Sequence, residues 1–223
     1  MPRPHRLFLA FLTAATMLPM PAAAYYTPLS DQAVREAYFL GKRGGESVAR
    51  LLSSYTKFPA PPATGHHGPH VSSVSLLTPF ALIVQYSSRQ SDYTAQQAER
   101  DHDPDKEVVS IDIQIAPSKY DWPSGAKSGG MRSGGPYDYY PQSYGFWKTF
   151  QYRIFNGKQE VTTKDIIVEP QYDCGGDSGC GVAGVSVRLQ FPATAFTADS
   201  ATIKVTPPED ETVSVDFDLS VLR

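Results

Sequence analysis

Cysteine is nearly absent from this chain of 223 residues: Cys174 and Cys180 are the only two. One isolated pair cannot build a four-thiolate zinc site, and in an oxidising compartment it reads as a structural disulfide. Long apolar runs are missing too. The longest, Leu7 to Leu18, spans about a dozen residues against the roughly 20 a membrane helix needs, so the protein is expected not to be membrane-embedded. Basic excess is also missing, because 20 Lys and Arg face 23 Asp and Glu for a net charge of −3. That balance disfavours nucleic acid as a partner. The chain also lacks the internal repeats of a solenoid and the long crossover helices of a parallel α/β sheet.

What is present begins with an export signal. Arg3, His5 and Arg6 precede the apolar run, and Pro21-Ala22-Ala23-Ala24 supplies small residues for cleavage, so residues 1–24 read as a signal peptide. Cleavage would remove Arg3 and Arg6, leaving 18 basic against 23 acidic residues and a mature charge of −5. No cysteine stands directly after the expected cleavage point, where Tyr25 lies, so a secreted or periplasmic protein without a lipid anchor is expected.

Residues 25–62 carry a helical pattern. Ser30 suits an N-cap, Val34, Ala37, Tyr38 and Gly41 recur at helical spacing, and Gly41 or Gly44-Gly45 ends the first helix. Val48, Leu51, Leu52 and Tyr55 line a second, closed by the break Pro59 to Pro62. The two form a helical hairpin whose apolar stripes need something to dock on.

From residue 63 onward strand signals dominate. Val71–Leu77 and Phe80–Ser88 flank Thr78-Pro79, and Thr94 with Gln97 has capping-box spacing for one short helix over 93–101. Glu107–Ala116 alternates Val109, Ile111, Ile113 and Ile115 with Ser110, Asp112 and Gln114, predicting one buried and one wet face. Phe146–Phe155 turns through Asn156-Gly157 into Lys158–Thr162. Ile166–Tyr172 and a return limb with inward Val185, Val187, Leu189 and Phe191 predict a hairpin whose tip Cys174 and Cys180 bracket. Ala201–Thr206 and Thr212–Val221 complete the set. About nine short strands predict a mainly β fold: an antiparallel β-sandwich over 63–223, preceded by the short N-terminal two-helix segment. A Tyr/Gly-rich insert interrupts it at 117–145.

That insert is the leading candidate for function. Tyr120, Trp122, Tyr137, Tyr139, Tyr140 and Tyr144 sit among glycines and prolines, and such rings suit stacking on sugar faces or anchoring a partner protein. The expected role is a non-catalytic binding or interaction module, with carbohydrate or another exported protein as partner. No catalytic residue, cofactor or metal is assigned. His66, His67 and His70 lie in a Pro/Gly segment that does not preorganise ligands, and reads as a linker. Asp101, Asp103, Asp105 and Asp112 fail the calcium-loop pattern, because Lys106 stands where the glycine is required and Pro104 interrupts. Asp216 and Asp218 read as the wet face of a strand.

Two alternatives remain. The run Cys174-Gly175-Gly176-Asp177-Ser178-Gly179 resembles the nucleophile segment of trypsin-like serine proteases. The resemblance implies Ser178 as nucleophile and Gly176 as oxyanion donor, hence a secreted hydrolase. It is confined to this hexapeptide: Cys180 replaces that family's glycine, and no histidine has the context of its general base. The other alternative is a structural subunit that assembles through exposed strand edges.

Overall fold

In a computed structural model of the chain, the described residues are 25, 27–61, 68–116, 145–174, 180–208 and 211–223; for 173, 174 and 180–183 the backbone alone is described. Ser30 opens the first helix, α1 (Asp31–Arg43), by accepting a hydrogen bond from the Ala33 amide. Gly44, at φ +60°, ends it, and α2 (Gly45–Ser54) follows directly. Gly41 therefore does not terminate the helix. It is the point where α1 crosses a third helix, since a Cβ there would lie 2.5 Å from the Val84 carbonyl oxygen.

That third helix corrects the reading of Phe80–Ser88 as a strand: α3 spans Pro79–Arg89. Thr78-Pro79 is a helix start rather than a turn. The Thr78 hydroxyl accepts from the Ala81 amide, and Pro79 occupies the first turn, where its missing N–H goes unused. Phe80, Ala81, Val84 and Ser87 are buried at helical spacing. The capping box of Thr94 and Gln97 forms as expected and opens α4 (Ala95–Asp101).

Among the described residues nine strands make two antiparallel sheets. They are β1 (Thr56–Lys57), β2 (His70–Leu77), β3 (Val108–Ala116), β4 (Gln151–Asn156), β5 (Gln159–Val161), β6 (Asp165–Cys174), β7 (Cys180–Pro192), β8 (Ser200–Thr206) and β9 (Val213–Asp218). The five-stranded sheet runs β1-β2-β3-β7-β6 and the four-stranded sheet β5-β4-β8-β9. One apolar cluster joins them: Val74, Ile111, Ile113, Val187 and Leu189 of the first sheet with Ile154, Ile203, Val205 and Phe217 of the second. A smaller cluster of Val34, Ala37, Val48, Phe80, Val84 and Ala98 holds the helices together, so the N-terminal stripes dock on α3 and α4.

Further corrections concern strand ends. The expected strand Phe146–Phe155 begins with a 3-10 turn over Phe146–Thr149, and the strand itself is Gln151–Asn156. In the β4–β5 hairpin the central residues are Gly157 and Lys158, with Asn156 paired to Gln159. Asn156 thus supplies no turn conformation. Its side chain is buried, accepting from the Ala198 amide at 2.8 Å. The last strand stops at Asp218 rather than Val221, because the Asp218 carboxylate accepts from the Ser220 amide and starts a 3-10 turn. Val221 is consequently 74% exposed.

The correction with the largest consequence is on β3. Ser110 and Asp112, expected on a wet face, are 0% and 8% exposed. Both faces of the centre of this sheet are covered.

Candidate functional site: a polar groove on the five-stranded sheet

Strand register lines up the outward residues of β1, β2, β3 and β7. Thr56 pairs with Ser75, Ser75 with Asp112, and Asp112 with Arg188, so one row of polar side chains crosses four strands. The neighbouring row is Ser73, Gln114, Ser186 and Glu169. Side chains at such directly opposed positions are close enough to bond.

They do bond. Arg188 grips Asp112 with both prongs of its guanidinium, Nε to Oδ1 at 2.8 Å and an Nη to Oδ2 at 2.9 Å. Ser110 donates to the same Asp112 Oδ1 at 2.9 Å. A planar, charge-assisted pair of this kind fixes orientation as well as energy. The hydrogen bonds to Asp112 raise the Arg188 pKa, opposed by partial burial and aided by the charges of Asp112 and Glu169. In the next row the Gln171 amide donates to Gln114 Oε1 at 2.8 Å, and the Gln114 amide donates to Ser186 Oγ at 2.9 Å. Gly184, opposite Gln171, leaves room for this line, since a Cβ would come within 3.3 Å of Gln171 Oε1. At the far edge the Thr56 and Ser75 hydroxyls share a hydrogen bond of 2.8 Å.

The helices turn this surface into a groove. Leu52 of α2 and Gln85 and Arg89 of α3 stand against the rows, enclosing a cavity of about 300 Å³ beside Asp112, Gln114 and Arg188. A second cavity, of about 360 Å³, shares Gln85, Arg89 and Arg188 with it and continues along Tyr86, Tyr93 and Gln190. Tyr86 and Tyr93 meet edge to face at 4.7 Å between ring centres. Burial pushes the Tyr93 hydroxyl pKa up, with smaller contributions from Asp101 and Tyr86, so it stays a neutral donor or acceptor.

A different polar cluster is closed. The Glu107 carboxylate accepts from Thr27 Oγ1 and the Leu29 amide, and pairs with His102 Nε2, each at 2.7 Å. Side-chain exposure of 8% for His102 and 3% for Glu107 leaves no opening for a ligand. The cluster clasps the segment before α1 onto the sheet, helped by the Tyr25 hydroxyl donating to the Ala193 carbonyl.

The six aromatic residues singled out in the insert, Tyr120, Trp122, Tyr137, Tyr139, Tyr140 and Tyr144, lie outside the described residues, as do Ser178, His66 and His67. His70 opens β2 and is half-buried. Cys174 and Cys180 are register partners at the end of the β6–β7 ladder, and their side chains lie outside the described set. Among the described residues no three His, Cys, Asp or Glu side chains gather as a metal site, and no helix is long and apolar enough to cross a membrane. Asp216 stays exposed, accepting from Thr202 Oγ1.

The groove residues were visible only as polar positions of alternating strands. Of the four acids at calcium-like spacing, Asp112 is held by Arg188 and Asp103 caps a turn. The one available signal was that Ser, Asp, Gln and Arg occupy the non-core positions of β3 and β7 almost without interruption. No family model matches this chain, and the comparisons with curated proteins and with solved structures found no match.

Proposed function

We propose that this chain is a non-catalytic binding protein that receives a hydroxyl-rich, carbohydrate-type ligand in the groove on the outer face of the five-stranded sheet. One observation carries the reading: the hydrogen-bonded groups Asp112–Arg188 and Gln171–Gln114–Ser186 border an open cavity rather than a sealed core. Backbone groups inside the sheet are consumed by its ladders, so recognition there rests on side chains that offer donors and acceptors together. Sugar hydroxyls do both at every position. Tyr86 and Tyr93 add ring surface for a sugar face.

The aromatic insert belongs to the same reading. The insert begins at residue 117, directly after β3 and three positions after Gln114, which supports a contribution from Tyr120, Trp122, Tyr137, Tyr139, Tyr140 and Tyr144 to ligand binding beside the groove. In this proposal the sheets face each other as a β-sandwich, supported by the apolar cluster they share. Cys174 and Cys180 close the hairpin tip as a disulfide, supported by their cross-strand pairing. Residues 1–24 act as an export signal, supported by their composition.

Assembly through strand edges has less behind it. The edge strand β6 contains Pro170, which lacks an N–H, and the acids Asp165, Glu169 and Asp173, a composition that discourages strand addition. For a hydrolase, His102 is committed to Glu107. The test is a glycan array followed by calorimetry. Gln114→Ala and Gln171→Ala should weaken the best ligand at least about tenfold, or roughly 1.4 kcal/mol, while the melting temperature barely moves. Unchanged affinity in both variants would remove the groove from the reading.

A further inference from the structure

The two cavities of the groove differ in charge. Asp112 and Glu169 line the first, and Arg89 and Arg188 line both. The second contains Arg89 and Arg188 and no acidic side chain at all. Arg188 is held by Asp112, whereas Arg89, in the last turn of α3 and exposed, makes no ion pair among the described residues. Asp112 and Glu169 stop at the first cavity, and neither Asp165, opposite Gln190, nor Asp101, near Tyr93, lines the second.

We infer that this second cavity is a carboxylate subsite, which makes the ligand an acidic saccharide bearing uronate groups. Arg89 receives the carboxylate, Gln85 and Gln190 bond the neighbouring hydroxyls, and the Tyr86–Tyr93 pair lies against the ring. The planar fork of an arginine suits a carboxylate bidentately, and an arginine without a competing internal partner pays no exchange of ion pairs on binding. A neutral sugar offers that guanidinium no charged partner. The inference rests on the carbohydrate reading above.

The experiment uses the full chain and a panel of hexasaccharides of galacturonate, mannuronate, guluronate and glucuronate types, each beside its carboxyl-reduced, neutral counterpart. Calorimetry should show at least one acidic member bound at least tenfold more tightly than its reduced partner. Arg89→Gln should abolish the preference with an unchanged melting temperature, and Arg89→Lys should retain part of it. Equal affinity for acidic and reduced members would overturn the carboxylate subsite and leave the carbohydrate reading standing. An acid preference that survives in Arg89→Gln would overturn the assignment to Arg89. Binding of neither member throughout the panel would overturn both.

Discussion

The two faces of the five-stranded sheet come from alternate residues of the same strands, yet they follow different rules. On the inner face Val74, Ile111, Ile113 and Val187 are at most 1% exposed, and any well-fitting apolar side chain meets the same non-directional requirement. On the outer face Ser110, Asp112 and Ser186 are nearly as buried, but each needs a partner at a set distance and angle. Burial on one face supplies stability; on the other it supplies orientation. A covered polar face beside open cavities is a costly arrangement unless something uses it.

The contrast is open to attack by substitution. The largest effect belongs to the inner face: Ile113→Ala should cost about 3 to 4 kcal/mol, read as a lowered midpoint in urea unfolding with ligand affinity in the surviving folded fraction unchanged. Next comes the crossing that holds the helices over the outer face. Gly41→Ala would force its methyl against the Val84 carbonyl and Ser87, so a loss of about 2 kcal/mol is expected together with weaker binding, because α3 walls the groove. Arg188→Met, which strands Asp112, should cost about 2 kcal/mol, less than a fully buried pair because Arg188 is partly open to water. Adding Asp112→Asn should recover part of that loss, and a double-mutant cycle measures the coupling.

The smallest effect comes from an exposed pair of the same geometry. Arg153 grips Glu160 with bonds of 3.0 and 2.8 Å on the other sheet. The hydrogen bond to Arg153 holds the Glu160 carboxyl below its usual range, against a small desolvation cost and with help from the Arg153 charge. A depressed carboxylate stabilises the fold above its unfolded pKa, near 4.3, and loses that contribution as pH falls through the folded value. Glu160→Gln should therefore shift the melting temperature slightly at pH 7 and not at all near pH 2. A shift as large as that of Arg188→Met would mean that burial is not what separates the two pairs.

Most elements were legible because their signals are local. Ser30 and the Thr94–Gln97 box announce helix starts through bonds to backbone three residues away, and Val185 to Phe191 shows its inward face by alternation alone. The apolar run from Phe80 to Val84 was ambiguous, since a short buried strand and a buried helical turn look alike there, and the cap at Thr78 decided for the helix. The groove was not legible. Nothing near Asp112 indicates that Arg188 lies opposite, 76 positions away, or that α3 folds back over both.

By itself the sequence determined eight of the described strands, their alternation of inward and outward positions, and the caps at Ser30 and Thr94, because each depends on neighbours a few residues apart; it missed the short β1 and read α3 as a strand. Only the tertiary structure decided which polar positions meet, which become covered and which helix walls them, because strand register and layer packing join residues that are distant in the chain. A buried polar side chain takes its role from the partner it meets.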